Sequence, residues 1–144
     1  MRIADVVKHK GAGVVTVRTD ASVADLIALL GEHRIGAVVV SDDGSTVGGI
    51  VSERDIVKNL RTEGAALLDA PVSAIMTSEV HTCAPDEHIE SLAELMTEHR
   101  IRHIPVVTDG ALQAIVSIGD VVKSRIDALQ SERDQLRDYI QQAP

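Results

Sequence analysis

Two short motifs carry the clearest chemistry in the chain, Ser52-Glu53-Arg54-Asp55 and Ser117-Ile118-Gly119-Asp120. Each places a carboxylate three residues after a hydroxyl, where a β-branched run gives way to helical spacing. A helix N-terminus exposes unpaired N–H groups and a partial positive charge, which suits a phosphate. An ionised Asp is an acceptor only, which suits the paired hydroxyls of a ribose. The same spacing also forms a helix cap, with hydroxyl and carboxylate each taking a backbone N–H. The two uses are compatible.

A second cluster is Arg102-His103, at the entry to a predicted strand. A guanidinium can hold phosphate oxygens in a fork. The plain alternative is a solvated Arg and a strand-edge His. At the matching point earlier in the chain stand Gly36-Ala37, and Arg54 is matched by Gly119. Two sites built on these motifs would be inequivalent, and one could be empty.

Other reactive residues promise less. His81, Cys83, His88, His99 and His103 invite a metal or nucleophile reading. His81 and Cys83 would share one strand face. Two ligands do not make a zinc site, no Cys-x-x-Cys pair exists, and nothing local activates Cys83. There is no Walker loop and no Gly-x-Gly-x-x-Gly. No metal site and no catalytic site are expected.

The elements that position these residues come in two copies. Glu32-His33-Arg34-Ile35 returns as Glu98-His99-Arg100-Ile101, Val14 and Thr16 as Val80 and Thr82, Leu26 and Leu29 as Leu92 and Leu95. Asp43-Gly44 returns as Asp109-Gly110; beyond it the offset shortens by one, and Ile50-Val51-Ser52 returns as Ile115-Val116-Ser117. A one-residue slip in a turn is cheap. The lead-ins rhyme too, Ile3-Ala4-Asp5-Val6-Val7 against Val72-Ser73-Ala74-Ile75-Met76.

In the first copy the pattern predicts a strand over Val14 to Arg18 and a helix over Ser22 to Glu32, capped by Asp20 or Ser22. A buried strand follows at Ala37 to Val40, then a hairpin-type turn at Asp42-Asp43-Gly44. A strand over Val47 to Ser52 and a helix over Ser52 to Leu60 complete it. The second copy repeats this with strand Val80 to Cys83, helix Glu87 to His99, strand His103 to Val107, strand Leu112 to Ser117 and a helix from Ile118 onward. Each unit is β-α-β-β-α, too small to bury its sheet and helices alone, so two must pack about a local twofold. The fold class is α+β, with residues 1–68 as first repeat with lead-in and linker, 69–126 as second, and 127–144 as a helical tail. Val122, Ile126, Leu129, Leu136 and Ile140 form a heptad-like stripe broken by Arg133. It packs either on its own domain or on a second subunit.

Bulk composition removes several classes. The 144 residues carry a formal charge of −8 and no basic run, which argues against a nucleic-acid partner. With no Phe or Trp and one Tyr, base stacking on aromatic rings is nearly excluded. A single cysteine allows no intrachain disulfide and fits a reducing cytosol. Nothing at the start reads as a signal peptide, and no run approaches the ~20 apolar residues of a membrane helix. A cytoplasmic location without membrane contact is expected.

The duplicated β-α-β-β-α unit, with Ile-Val-Ser followed by an Asp, resembles the CBS (cystathionine-β-synthase-type) repeat, whose pairs are called Bateman modules. The resemblance runs from about Ile3 to Ile126 and is carried by Val72 to Thr77, Met96 to Val107 and Ile115 to Lys123. The tail resembles the C-terminal helix of some small bacterial stand-alone members. The resemblance implies a regulatory module and no enzyme. It implies an adenosine ligand such as AMP, ATP or NAD between the repeats, a homodimer formed through helices, and a separate, unidentified effector protein. It assigns ribose contacts to Asp55 and Asp120, with Ser52, Arg54, Ser117 and Gly119 beside them. Arg102 and His103 would reach phosphates. Adenine would lie near Thr16-Val17 and Thr82-Cys83, against Ala37, Ile104 and Pro105. The alternative is a ligand-independent interaction scaffold.

Overall fold

The computed structural model describes residues 1–10 and 13–142; the last two residues of the expected tail lie outside it. Helix α1 (Ile3–Lys10) leads into strand β1 (Thr16–Val17), helix α2 (Val23–His33), strands β2 (Ala37–Val40) and β3 (Gly49–Ser52), and helix α3 (Glu53–Glu63). Two 3₁₀ turns, Gly64–Asp69 and Val72–Ala74, cross to the second copy. There follow helix α4 (Ile89–His99), strands β4 (His103–Thr108) and β5 (Ala111–Ser117), and helix α5 (Ile118–Gln142).

In the first sheet β1 runs parallel to β2, and β2 antiparallel to β3 with Ala37 opposite Ser52. In the second, β4 and β5 pair antiparallel with His103 opposite Ser117. Ser52 and Ser117 thus end equivalent strands beside the first residue of the preceding strand. The expected strand at Val80 to Cys83 is reduced to one parallel bridge, Cys83 with Val106. Cys83 donates its N–H to Pro105 O and accepts from Val107 N–H, but Val80 to Thr82 lie outside the sheet, with Val80 and His81 on the wall of the cleft between the copies. Strand β1 is likewise shorter than expected.

The helix signals are explicit. The Ser22 hydroxyl accepts the Asp25 N–H at 3.0 Å and caps α2. Arg34 and Arg100 end α2 and α4 in the left-handed region, at φ 53° and 54°. Glycine normally fills that position. The duplicated Glu-His-Arg-Ile is therefore a helix-stop motif, with Ile35 and Ile101 N–H groups bonded back to Leu30 and Met96 carbonyls.

The two hairpin connections differ. Asp109-Gly110 is a tight turn with both φ values positive, as expected. The first copy needs a longer loop, from Ser41 to Gly48. Asp43 organises it by accepting from Ser45 and Thr46 N–H groups and the Thr46 and Ser41 hydroxyls. These donors hold the Asp43 carboxyl far below its ordinary range. Ser45 O in turn accepts the Leu112 N–H at 2.7 Å, joining the loop to β5.

The lead-in segments are exchanged. Ile3 and Val6 of α1 are buried with Ile89, Leu92, Met96 and Val116 of the second copy. Val72 and Ile75 are buried with Val23, Leu26, Val38 and Val51 of the first. Equivalent backbone pairs seal both exchanges. Ile3 N–H bonds Glu87 O and Ile89 N–H bonds Met1 O; Val72 N–H bonds Ala21 O and Val23 N–H bonds Ala70 O. Burying one such aliphatic side chain contributes about 1.5–3 kcal/mol. Each half thus depends on a segment attached to the other in sequence.

Candidate functional site

The exchange leaves a cleft of about 560 Å³ between the copies, within the usual range for small-ligand sites. From the first copy it is lined by Gly36, Ala37, Ser52, Arg54 and Asp55. From the second come Arg102, His103, Ser117 and Gly119. Eight of the candidate residues are thereby brought together: Ala37, Ser52, Arg54, Asp55, Arg102, His103, Ser117 and Gly119.

Both Ser-x-x-Asp motifs form caps. Asp55 Oδ2 accepts from Ser52 N–H at 2.9 Å and Ser52 Oγ at 3.1 Å, while Asp55 N–H donates to Ser52 Oγ at 3.4 Å. Asp120 and Ser117 repeat the pattern at 2.9, 3.1 and 3.3 Å. Only Oδ2 is committed in Asp55; its Oδ1 has no hydrogen-bond partner among the described residues. Capping therefore leaves an acceptor for a ligand hydroxyl.

The two carboxylates differ in their neighbours. Lys10, at the end of α1, donates to Asp120 Oδ2 at 2.8 Å and to Ile115 O at 2.7 Å. Burial pushes the Asp120 carboxyl up. The Lys10 and Ser117 hydrogen bonds and the Lys10 charge outweigh that and hold it below its ordinary value. Asp55 makes no ion pair among the described residues. Of the two motif carboxylates, Asp55 lines the cleft and Asp120 does not.

His103 sits where the copies meet. Burial lowers its pKa first, Lys10 and Arg102 add to that, and Glu53 and Asp120 oppose it. The balance of these surroundings favours the neutral imidazole. The Gly36 position lies against both Glu53 and His103: a Cβ there would come within 3.4 Å of Glu53 Oε1 and 3.7 Å of His103 Cε1. These are ordinary contact distances, so Gly36 brings the first copy's strand entry next to His103 without being required by sterics.

The remaining candidates lie outside the cleft. Val17 is buried and its carbonyl accepts the Ser41 N–H. Thr16 belongs to β1, whose register is fixed by β2. Ile104 is fully buried and Pro105 pairs with Ile115 within the second sheet. Thr82 is exposed beside Cys83. Cys83 is buried, its thiol raised to about 12 by burial and by Glu87, and both its backbone groups serve β4. Its N–H is committed to Pro105 O, and its carbonyl keeps one lone pair beyond the Val107 bond.

Arg100, Ile101, Glu53, Glu79, Val80 and His81 also line the cleft; none is among the ligand-binding residues expected from the sequence, where His81 invites only a metal or nucleophile reading. Arg100 and Ile101 had a signal, the duplicated Glu-His-Arg-Ile, but it reads as a helix terminus. Glu79 to His81 are placed by the linker: Thr77 exchanges two backbone hydrogen bonds with Ile50 on the edge of β3. His81 and His99 stack with centroids 4.2 Å apart at 32°. Among the described residues no group of three or more His, Cys, Asp or Glu could hold a metal ion. No described helix is long and apolar enough to cross a membrane.

The CBS-domain sequence profile matches twice, over residues 3–62 and 72–127, and the chain belongs to the CBS-domain family as a tandem pair. A CBS-domain-containing protein of Agrobacterium tumefaciens has a similar crystal structure, with TM-score 0.83 and 46% identity over 87% of this chain and 99% of that one. A mitochondrial CBS-domain-containing protein of Arabidopsis thaliana is 35% identical over 96% of this chain and 71% of its own length. A CBS-domain protein of Pyrobaculum aerophilum, solved in complex with AMP, gives TM-score 0.73 at 28% identity, over 83% of this chain and 89% of that one.

Proposed function

We propose that the chain is a regulatory adenosine-nucleotide sensor without catalytic activity of its own, acting on a separate protein. The observation that carries this is Asp55, a helix-capping carboxylate with one oxygen uncommitted, in a cleft that also presents Arg102 and His103 from the other copy. A ribose diol would bond Asp55 Oδ1. The phosphate would meet the α3 N-terminus together with Arg54, Arg100 and Arg102. Adenine would lie on the aliphatic wall of Ala37, Ile50, Val80 and Ile101. The complex of the Pyrobaculum relative with AMP supports the ligand class.

The cleft's charge narrows that class. Arg54, Arg100 and Arg102 are matched by Glu53, Asp55 and Glu79. Such a balanced site favours a ligand of low charge, AMP or NAD, over the more highly charged ATP. The Asp120 site is the weaker one, because Lys10 already neutralises its carboxylate.

The body of the module would self-associate through its helices. Val57 and Leu60 on α3 and Ile118 and Val122 on α5 are exposed without an apolar cover. A cytoplasmic setting accords with the buried free cysteine. A thermal-shift panel with AMP, ADP, ATP, NAD, NADH and S-adenosylmethionine tests the reading. A ligand of the folded state raises the transition by mass action. A chain that responds to none is a scaffold that binds protein alone.

A further inference from the structure

Helix α5 outruns the domain it belongs to. Its buried residues are Val121 and Ser124, and every residue from Arg125 to Gln142 is exposed. The family profile stops at residue 127, so most of this segment lies beyond the conserved unit. Helical stability in proteins comes mostly from packing an amphipathic face, and this segment packs its face on nothing in its own chain among the described residues. Yet its apolar residues are in register. Ile126, Leu129, Leu136 and Ile140 fall on one face with Arg133 among them, and they are 48%, 48%, 63% and 71% exposed. Leu129, Leu136 and Ile140 lie along one open face of the helix, with Glu132, Arg133 and Arg137 beside them.

We propose that this tail is a parallel two-stranded clasp between two copies of the chain. The inference deepens the self-association proposed above and rests on it, but not on what the cleft binds. In heptad positions, Ile126, Arg133 and Ile140 are a residues and Leu129 and Leu136 are d residues. Isoleucine at a with leucine at d selects two parallel strands, and one polar a residue fixes register at a cost in stability.

The charges select the same arrangement. Glu132 precedes an a position and Arg137 follows a d position. Parallel pairing sets Glu132 of each copy beside Arg137 of the other, twice by symmetry. It also brings each Arg133 within reach of Glu132 on the opposing helix. Antiparallel pairing would set Glu132 against Glu132 and Lys123 against Arg137, both repulsive. A second copy in parallel orientation therefore satisfies both the apolar face and its charged flanks.

The test is position-specific disulfide formation in the full chain. Leu136→Cys places thiols face to face only in the parallel clasp, whereas Ser131→Cys lies on the opposite side of the helix. The native Cys83 is buried and does not compete. Leu136→Cys is expected to crosslink at least about ten-fold faster than Ser131→Cys, because pairing raises the effective thiol concentration. Adding Glu132→Lys should slow the crosslink, and adding Arg137→Glu to that chain should restore it. Equal rates at 131 and 136, or no rescue by the second charge change, would overturn the clasp. Light scattering separates the layers: a dimer with equal crosslinking removes the clasp alone, and a monomer at all concentrations removes the self-association with it.

Discussion

Lys10 and Asp120 are joined across the exchanged architecture. The Lys10 ammonium lies 2.8 Å from Asp120 Oδ2, tying the end of the first lead-in helix to the helix start of the second copy. The pair makes the two motif carboxylates unequal although their caps are nearly superimposable. It also links α1 to a potential ligand group.

Lys10→Ala should lower stability by about 1 kcal/mol near pH 7, the upper end for a pair that solvent partly screens. Asp120 is held below its ordinary value of 3.8, so its contribution is present above that value and lost as pH falls through the lower folded value. The gap between the parent chain and Lys10→Ala in urea denaturation should therefore close in acid. A gap that persisted unchanged there would refute the ion-pair explanation.

His103 carries the opposite dependence on ligand. Its pKa is lowered from 6.5, so the folded state disfavours the imidazolium, and stability falls as pH drops below that value. A bound phosphate would favour the charged imidazole. Nucleotide affinity should then rise between pH 7 and pH 6, and His103→Gln should flatten the profile. Affinity that falls equally in both chains would remove His103 from phosphate recognition.

Gly49 is where the linker docks on β3. A Cβ there would lie 2.8 Å from Met76 Sδ and 2.9 Å from Thr77 O. Because one obstacle is backbone, Gly49→Ala should destabilise by about 1–3 kcal/mol, as overpacking does. It should also weaken nucleotide binding, since the Ile50–Thr77 pairing places Glu79 to His81 at the cleft. Normal melting in Gly49→Ala would show that the linker can shift freely.

Val57 is 67% exposed and Leu60 45% on a helix with no buried residue. Val57→Asp with Leu60→Asp should leave far-UV circular dichroism unchanged and reduce the mass in sedimentation. Unchanged mass would assign self-association to another face.

Much of this organisation is legible in the chain because duplication writes it twice. Helix ends, the Asp109-Gly110 turn and the two Ser-x-x-Asp caps follow from local rules of spacing and backbone conformation. Of the eight cleft residues, those of the two Ser-x-x-Asp motifs and Arg102-His103 stand out by type and spacing, whereas Ala37 is named only through the family resemblance. What was not legible depends on pairing distant in sequence. The exchange of α1 and the Val72 segment follows from which apolar face meets which core. The Lys10–Asp120 pair follows from that exchange. The strand at Val80 to Cys83 had the right residues, but only Cys83 meets a neighbouring strand. Arg100 reads locally as a helix stop and reaches the cleft only because α4 ends there.

The most direct test is calorimetric titration of AMP, and then NAD, into the full chain and into Asp55→Ala and Asp120→Ala. The account expects saturable binding that weakens at least about ten-fold in Asp55→Ala, the loss of a hydrogen bond to a charged acceptor, and much less in Asp120→Ala. No heat and no melting shift with either nucleotide, or equal affinity in the parent chain and Asp55→Ala, would contradict a nucleotide site at Asp55.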